Sequence, residues 1–251
     1  MNIFEDSINL LKGAAFTNIQ VNDSYLYLES PAIFSEYIVP LTYLDKFDSQ
    51  SAHDLFLNLQ ENDKNISYYI RQTLVDEYRD YFKRLKLSED YVDSYMVKEV
   101  IEPIEFDSNG TLLVEVEEDF FEDYKYTALE IFNNWANEED YVNYFNQLSK
   151  EHTKDFTKVF KDYVLTLNNT IVSIGSTIYD IEMNLAYIHN AGTVSDYRRN
   201  GYFNILNNLI INEAVRMGIN RIYSITEQGS ESYNAYKKLG FKEEDVYYSF
   251  S

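Results

Sequence analysis

The second half of the chain is built from segments whose apolar and polar positions alternate with the periods of strands and helices. The pattern predicts strands over 111–117, 160–167, 170–179, 185–194, 221–226 and 246–250, and helices over 119–135, 139–150, 201–217 and 230–239. Asn168-Asn169 predicts a hairpin turn, and Gly218 and Gly240 end two of the helices. Hairpins followed by crossovers predict an α/β domain whose sheet has both antiparallel and parallel neighbours.

The first half is less regular. It predicts strands over 24–28 and 37–43 and helical segments over 52–60, 66–85 and 91–99. The segment 102–110 contains Pro103 and closes with Asn109-Gly110, a strong turn pair. We therefore expect a smaller N-terminal α/β domain over 1–105 and a second domain over 106–251.

The amino-acid composition excludes several kinds of functional site. The 251 residues include no cysteine, which excludes disulfides, a thiolate nucleophile and cysteine metal ligands. The three histidines have no ligand-like spacing, so no metal site is predicted. A formal charge of -21 argues against a nucleic-acid partner. The same charge either attracts a cationic substrate or serves only to keep the protein soluble.

Hydropathy predicts the location. No apolar run of 18 or more residues is present, so no membrane span is predicted. The first residues carry acids and lack a basic start, which does not fit a signal peptide. A cytoplasmic protein with no membrane partner is the expectation.

The segment 193–203 carries the clearest chemical signal, because a strand enters a tight turn that leads directly into a helix. A helix N-terminus presents unpaired N–H groups and positive dipole charge, both suited to a phosphate. Gly201 allows close approach of the backbone, and Arg198 and Arg199 add charge. The alternative is an ordinary strand–helix turn with solvated arginines.

Two motifs resemble those of the GCN5-related N-acetyltransferases. Residues 197–203 are similar to the family signature of Arg or Gln, two variable residues, Gly, a variable residue, and Gly or Ala. Arg198 and Gly201 match it, whereas Phe203 stands where Gly or Ala is usual. Residues 236–241 resemble the later family segment in which a helix ends in Tyr, two residues, an apolar residue, Gly and Phe. The resemblance implies an acyl-coenzyme A N-acyltransferase fold, with a mixed, mostly antiparallel central sheet flanked by helices.

The resemblance also implies a reaction and a set of site residues. The donor is acetyl-coenzyme A or another acyl-coenzyme A, and the acceptor is a primary amine, cationic or neutral, of a small molecule or peptide. Tyr236 inherits the role of protonating the departing thiolate, and a packing role is its alternative. The coenzyme-binding set comprises Gly192, Thr193 and Val194 along the pantetheine, Arg198, Arg199, Asn200, Gly201, Tyr202 and Phe203 around the pyrophosphate, and Ser230 near the position of a family Asn.

The general base is less clearly marked. The family often places a Glu on the strand before the turn, but 185–194 contains no carboxylate. His189 is the titratable residue there whose ordinary pKa suits the role, although a structural histidine is the alternative. Glu227 is a second candidate. The rival functions are a non-catalytic acyl-coenzyme A sensor and a purely structural interaction module.

The N-terminal half shows no catalytic constellation. Its segment 81–87 faintly resembles 236–241, and with 94–97 as an alternative closing strand this suggests a truncated, degenerate copy of the same fold; chance similarity between amphipathic helices is the alternative. We expect this half to form one side of the acceptor pocket or a homodimer interface.

Overall fold

The computed structural model describes residues 2–12, 15–30, 36–62, 64–117, 120–132 and 158–251. They form two compact units. Unit 1 comprises Met1–Tyr95, Ile225–Tyr233 and Glu243–Ser251, and unit 2 comprises Met96–Ser224 and Asn234–Lys242. The boundary predicted at 105 and 106 follows chain order, whereas the compact units also take in segments from the other half of the chain.

Unit 1 is a sheet with helices. Its strands are β1 Asn18–Val21, β2 Tyr25–Glu29, β3 Glu36–Pro40, β4 Ile66–Arg71, the first part of β5 Glu89–Glu99 and most of β11 Lys242–Phe250, and its helices are α1 Ile3–Leu11, α2 Ser49–Glu61 and α3 Gln72–Arg84. The strand order is β1-β2-β3-β4-β11-β5. The β3–β4 pair is parallel, and the β1–β2, β2–β3 and β4–β11 pairs are antiparallel.

Two of the helical segments predicted in this half are wrong. Residues 66–71 form β4 and 91–99 belong to β5, with only 72–84 helical. In β4 the residues from Ile66 to Ile70 are all buried, and in β5 the run from Ser94 to Val97 is buried. A strand covered on both faces loses the period of two that distinguishes it from a helix.

Unit 2 holds the second group of elements. These are β6 Leu112–Glu115, α4 Phe121–Ile131, β7 Lys158–Leu167, β8 Thr170–Asp180, β9 Leu185–Thr193, α5 Tyr202–Arg216, β10 Arg221–Glu227 and α6 Glu231–Lys238, the last two of which contribute three residues each to unit 1. The order is β10-β9-β8-β7-β6, with β9–β10 parallel and the other pairs antiparallel. The predicted mixed, mostly antiparallel α/β fold is confirmed. The helix predicted over 139–150 lies outside the described residues.

A β-bulge in β9 sets the faces of its side chains. His189 pairs with Ser176 and Gly192 with Ile174, so Asn190 and Ala191 of β9 together oppose Gly175 of β8. Asn190 has a positive φ of 48°, which asparagine tolerates better than most residues. In a regular strand, residues three apart point to opposite faces. The extra residue therefore puts His189 and Gly192 on the same face.

Helices cover the two faces of this sheet. On the face of Gly192, a Cβ would overlap with Cγ2 of Ile131 and lie 3.2 Å from Cζ of Phe132, both at the end of α4. On the face of Gly175, a Cβ would lie 3.2 Å from atoms of both Leu206 and Ile210 in α5. The glycines let both helices pack directly against strand backbone. Among the described residues, no helix combines the length and apolarity that a membrane span requires.

The two halves of the chain share an order of elements. The sequence β3–α2–β4–α3–β5 repeats as β9–α5–β10–α6–β11, and in both the strands flanking the first helix are parallel. The ends of α3 and α6 also agree: Leu87 N donates to Phe82 O and Phe241 N to Tyr236 O, each at 3.0 Å. Lys86 and Gly240 both have a positive φ. These correspondences support the predicted internal copy, with Phe82 at the position of Tyr236.

Gly192→Ala is expected to lower the free energy of unfolding by about 1–3 kcal/mol, because the new methyl group overlaps with Ile131. Urea denaturation of the single variants and of Gly192→Ala combined with Ile131→Ala measures the effect. Since Ile131→Ala removes Cγ2, the glycine substitution should be less destabilising in that background. An equal loss in both backgrounds would show that the contact is not the cause.

Candidate functional site

The turn between β9 and α5 presents backbone N–H groups at a helix start. After Thr193 the chain makes a single 3-10 turn over Ser195–Tyr197. Arg199 and Gly201 then have φ values of 66° and 84°. The first helical bonds run from the N–H groups of Asn204 and Ile205 to Gly201 O, and Gly201 supplies no side-chain cap. The preceding amides at the helix start are therefore placed to bind an anion.

Side chains of the turn brace this conformation. Arg198 Nε donates to Thr193 O at 3.1 Å, while Asn200 Nδ2 donates to Tyr197 O at 3.2 Å. Arg198, Arg199 and Asn200 are all exposed. The guanidinium of Arg198 is thus oriented by one hydrogen bond and keeps other N–H groups for a ligand.

Phe203 departs from the family pattern without obstructing the turn. Its half-buried ring packs edge-to-face on Tyr236, with centroids 5.4 Å apart. The side chain therefore turns inward, and the Tyr202 and Phe203 amides stay at the helix start. The ring thus points away from the turn and packs against Tyr236.

Tyr236 is a buried residue, only 2% exposed. Its ring also contacts Phe241 at 4.9 Å, and its hydroxyl is hydrogen-bonded to Ser224. Burial raises the pKa of this phenol above its ordinary value, so the hydroxyl keeps its proton at neutral pH. Its predicted role as an acid stays a prediction, and the packing contacts account for part of its environment.

His189 lies on β9 between aromatic rings. It stacks on Tyr187 with centroids 5.0 Å apart and contacts Phe160 at 5.6 Å. Tyr187 in turn stacks on Tyr223 of β10 at 4.6 Å. The imidazole is 8% exposed. Its predicted role as a base stays a prediction.

The pantetheine-lining candidates form the end of β9. The β9–β10 pairing spans 185–187 and 221–223, and β9 then continues to Thr193 alongside β8. Thr193 Oγ1 and Ser173 Oγ are 2.8 Å apart, and Val194 N donates to Val172 O at 3.1 Å. Gly192 packs against α4 as described above. These contacts of Gly192, Thr193 and Val194 thus hold in place the backbone that leads into the turn at 198–201.

Ser230 and Glu227 belong to unit 1, whereas the other candidates belong to unit 2. Ser230 Oγ accepts a hydrogen bond from Tyr233 N at 3.1 Å, as an N-cap of α6 does. Glu227 is exposed and raises the pKa of Asp93 through its charge. The predicted roles of both residues stay predictions.

One acidic residue of unit 2 was missed by the sequence reasoning. Asp162 on β7 accepts a hydrogen bond from Ser176, which is also 2.7 Å from the hydroxyl of buried Tyr124. Loss of solvent raises the Asp162 pKa to about 6. Asp162, Ser176 and His189 are successive cross-strand partners in one row. The sequence signal was an acid between Phe160 and Val164 on the inward face of a strand.

Within the described parts of the chain, no group of three or more His, Asp or Glu side chains is arranged to hold a metal ion.

The Asp162 pKa predicts a pH dependence of stability. Between about pH 4 and 6 the folded state binds more protons at this residue than the unfolded chain, so stability falls as pH rises through that window. The loss is about 3 kcal/mol at 1.36 kcal/mol per pKa unit. Asp162→Asn has no carboxyl group to titrate at this position. Its free energy of unfolding relative to that of the wild type, measured by chemical denaturation, should therefore increase from pH 4 to pH 7.

Asp123→Asn, which changes an exposed aspartate in the same unit, controls for the change in net charge. Parallel stability profiles for the wild type and Asp162→Asn would contradict the prediction.

Comparison with known proteins extends the resemblance. The model of the "Acetyltransferase (GNAT) family" matches residues 112–241. A GCN5-related N-acetyltransferase from Kribbella flavida is 12% identical, covers all of this chain and 95% of its own, and has a TM-score of 0.67. A second from Sphaerobacter thermophilus is 12% identical, with coverages of 98% and 84% and a TM-score of 0.68.

A third similar structure is a tandem GNAT protein from the clavulanic acid biosynthesis pathway. It is 10% identical, with coverages of 90% of this chain and 78% of its own and a TM-score of 0.63. At such identities the structures show a shared fold alone, and no curated protein matches the chain. The family model, however, spans more than half of the sequence and includes both the turn at 198–201 and the helix of Tyr236. The protein therefore belongs to the acetyltransferase (GNAT) family.

Proposed function

We propose that the protein transfers an acetyl or related acyl group from an acyl-coenzyme A to a primary amine. The observation that carries the proposal is the turn at 198–201, where positive φ values at Arg199 and Gly201 accompany an uncapped start of α5. A pyrophosphate carries the negative charge that such amides and the two adjacent arginines favour. Membership of the acetyltransferase family supports acyl transfer in general.

The residues support direct attack without an acyl-enzyme intermediate. The chain has no cysteine to serve as a thiolate nucleophile. In direct attack the amine nitrogen bonds to the acyl carbon, the carbon–sulfur bond breaks, the nitrogen loses a proton and the thiolate gains one. His189 is the proposed proton acceptor on β9. Tyr236, kept protonated by its raised pKa, is the proposed donor to the sulfur.

The acceptor is proposed to be a primary amine, including one that arrives as a cation. The net charge of -21 favours encounter with cations by electrostatic steering. The predicted cytoplasmic location agrees with a supply of acyl-coenzyme A and stays a prediction.

A non-catalytic acyl-coenzyme A-binding module is the second candidate function. It is favoured by the absence of a carboxylate on β9 and by the burial of Tyr236. The two candidates differ in one observable, the release of free thiol from acetyl-coenzyme A in the presence of a panel of primary amines. Thiol release that depends on the amine supports the enzyme, whereas binding without release supports the module.

Coenzyme A is expected to raise the thermal unfolding midpoint, because a ligand that binds the native state shifts the unfolding equilibrium. Arg198→Ala should weaken binding about tenfold or more, since it removes a charged hydrogen-bond donor. Arg216→Ala is the matched control: this exposed arginine pairs with Glu213 at the opposite end of α5. Absence of any shift at millimolar coenzyme A would overturn both candidate functions.

Tyr236→Phe is expected to lower the acyl-transfer rate about 10²-fold, at the low end of general acid catalysis, because a thiolate is already a good leaving group. Coenzyme A affinity should stay within a few-fold, since the ring contacts with Phe203 and Phe241 are kept. Single-turnover rates and calorimetry measure the two effects.

His189→Gln in the same assay tests the proton acceptor separately. If His189 is the base, the acyl-transfer rate of His189→Gln relative to the wild type should fall further as the assay pH decreases, because a smaller fraction of the amine is then neutral. If neither variant slows the chemical step, the protein acts by positioning its substrates.

A further inference from the structure

Unit 1 contains a cavity of about 170 Å³ that the acyl-transfer proposal does not use. It lies among α1, the β2–β4 strands, β5 and Ile225. Among the residues that the structure describes, five aromatic side chains line it, together with aliphatic residues and a single carboxylate; the aromatic residues are Phe4, Phe16, Tyr37, Tyr69 and Tyr95. All the lining residues belong to one compact unit. The cavity is thus a feature of unit 1 itself.

The carboxylate is Asp93, in the middle of β5. Tyr69 Oη donates to its Oδ2 at 2.9 Å, which leaves Oδ1 as an acceptor. Across the described residues, no lysine, arginine or histidine forms an ion pair with Asp93, and the nearby charge of Glu227 adds to the negative potential. Burial raises the Asp93 pKa to about 6, so the group is ionised at neutral pH. A partly buried carboxylate without a cation is destabilising unless a ligand compensates it.

The phenols around Asp93 stay neutral. Burial raises the pKa values of both Tyr69 and Tyr95, and their hydroxyls are hydrogen-bonded to each other. The rings of Tyr37 and Tyr69 are 5.0 Å apart and tilted, and Phe4 lies 5.9 Å from Tyr95. Neutral aromatic faces attract cations, most strongly where water is excluded.

A second polar group at the cavity is Ser30, which is 3% exposed. Its Oγ has no hydrogen-bond partner in the part of the chain that the structure describes. A buried hydroxyl left without a partner is unfavourable, so this atom also calls for a ligand group that forms hydrogen bonds. Asp93 Oδ1 and Ser30 Oγ can both accept from N–H donors, which a primary ammonium group has and a quaternary one lacks.

We infer that this cavity binds a primary ammonium ion with an apolar body of about the size of a benzene ring. Apolar cavities of about 150 Å³ accept benzene, so the volume suits such a body. Asp93 supplies the counter-charge, the aromatic rings surround the cation and its apolar body, and Ser30 accepts a hydrogen bond. Binding here requires neither acyl-coenzyme A nor turnover, so the inference stands or falls separately from the proposed acyl transfer.

The test compares benzylammonium with benzyl alcohol, its neutral analogue, by calorimetry on the full chain at neutral pH. Benzylammonium should bind at least about tenfold more tightly, because only it satisfies the carboxylate and gains from the aromatic rings. Asp93→Asn should remove that preference. Asp76→Asn, at an exposed position on α3, makes the same change of charge and should keep it. Benzyltrimethylammonium should bind more weakly than benzylammonium.

Ser30→Leu fills the cavity and removes the unpartnered hydroxyl. It should abolish binding of both probes while leaving the protein folded, since leucine suits the apolar walls. Lack of benzylammonium binding, equal affinity for the alcohol, or an unchanged preference in Asp93→Asn would each overturn the inference. The Asp93→Asn comparison decides the matter even if Ser30→Leu fails to fold.

Discussion

The geometry of the candidate acyl-coenzyme A site depends on the β-bulge in β9. It lets one strand present His189 and Gly192 to the same face, although three positions separate them. Because Gly192 then meets the end of α4, the helix can lie directly on the strand backbone. Beyond the bulge, Thr193 points to the opposite face of the sheet, and its Oγ1 lies 2.8 Å from Ser173 Oγ. Without the extra residue, the side chains that follow it in β9 would point to the opposite face of the sheet.

Sequence patterns predicted the parts of the fold in which local signals agree. The hairpin at Asn168-Asn169 formed as predicted, with both residues at positive φ. The helix over 201–217 and the strand over 221–226 also agree with α5 and β10, within a residue at their ends. Turn residues with a positive φ bound these elements: Asn168 and Asn169 form the hairpin, and Gly201 and Gly218 flank the helix. Periodicity and turn chemistry therefore point the same way.

Patterns failed where distant segments decide the structure. β4 and β5 are joined in the sheet by β11, a strand from the far end of the chain that lies between them. A local window contains no trace of such a partner. The same limit applies to Asp93 and Asp162, because their pKa values are raised by loss of solvent in the folded structure, which is a tertiary property. The turn at Arg198 was predictable because its chemistry is contained within a few consecutive residues.

The start of the helix that joins the two parallel strands differs between the two halves of the chain. In the C-terminal half α5 begins at Gly201, which has no side chain to cap the helix, so backbone N–H groups stay available. In the N-terminal half the equivalent helix α2 begins at Asp48, whose carboxylate accepts from Ser51 N at 3.1 Å. That carboxylate occupies the position an external anion would need, and its negative charge repels one. Asp48 thus disfavours an anion at the start of α2, whereas the start of α5 leaves backbone N–H groups available for one.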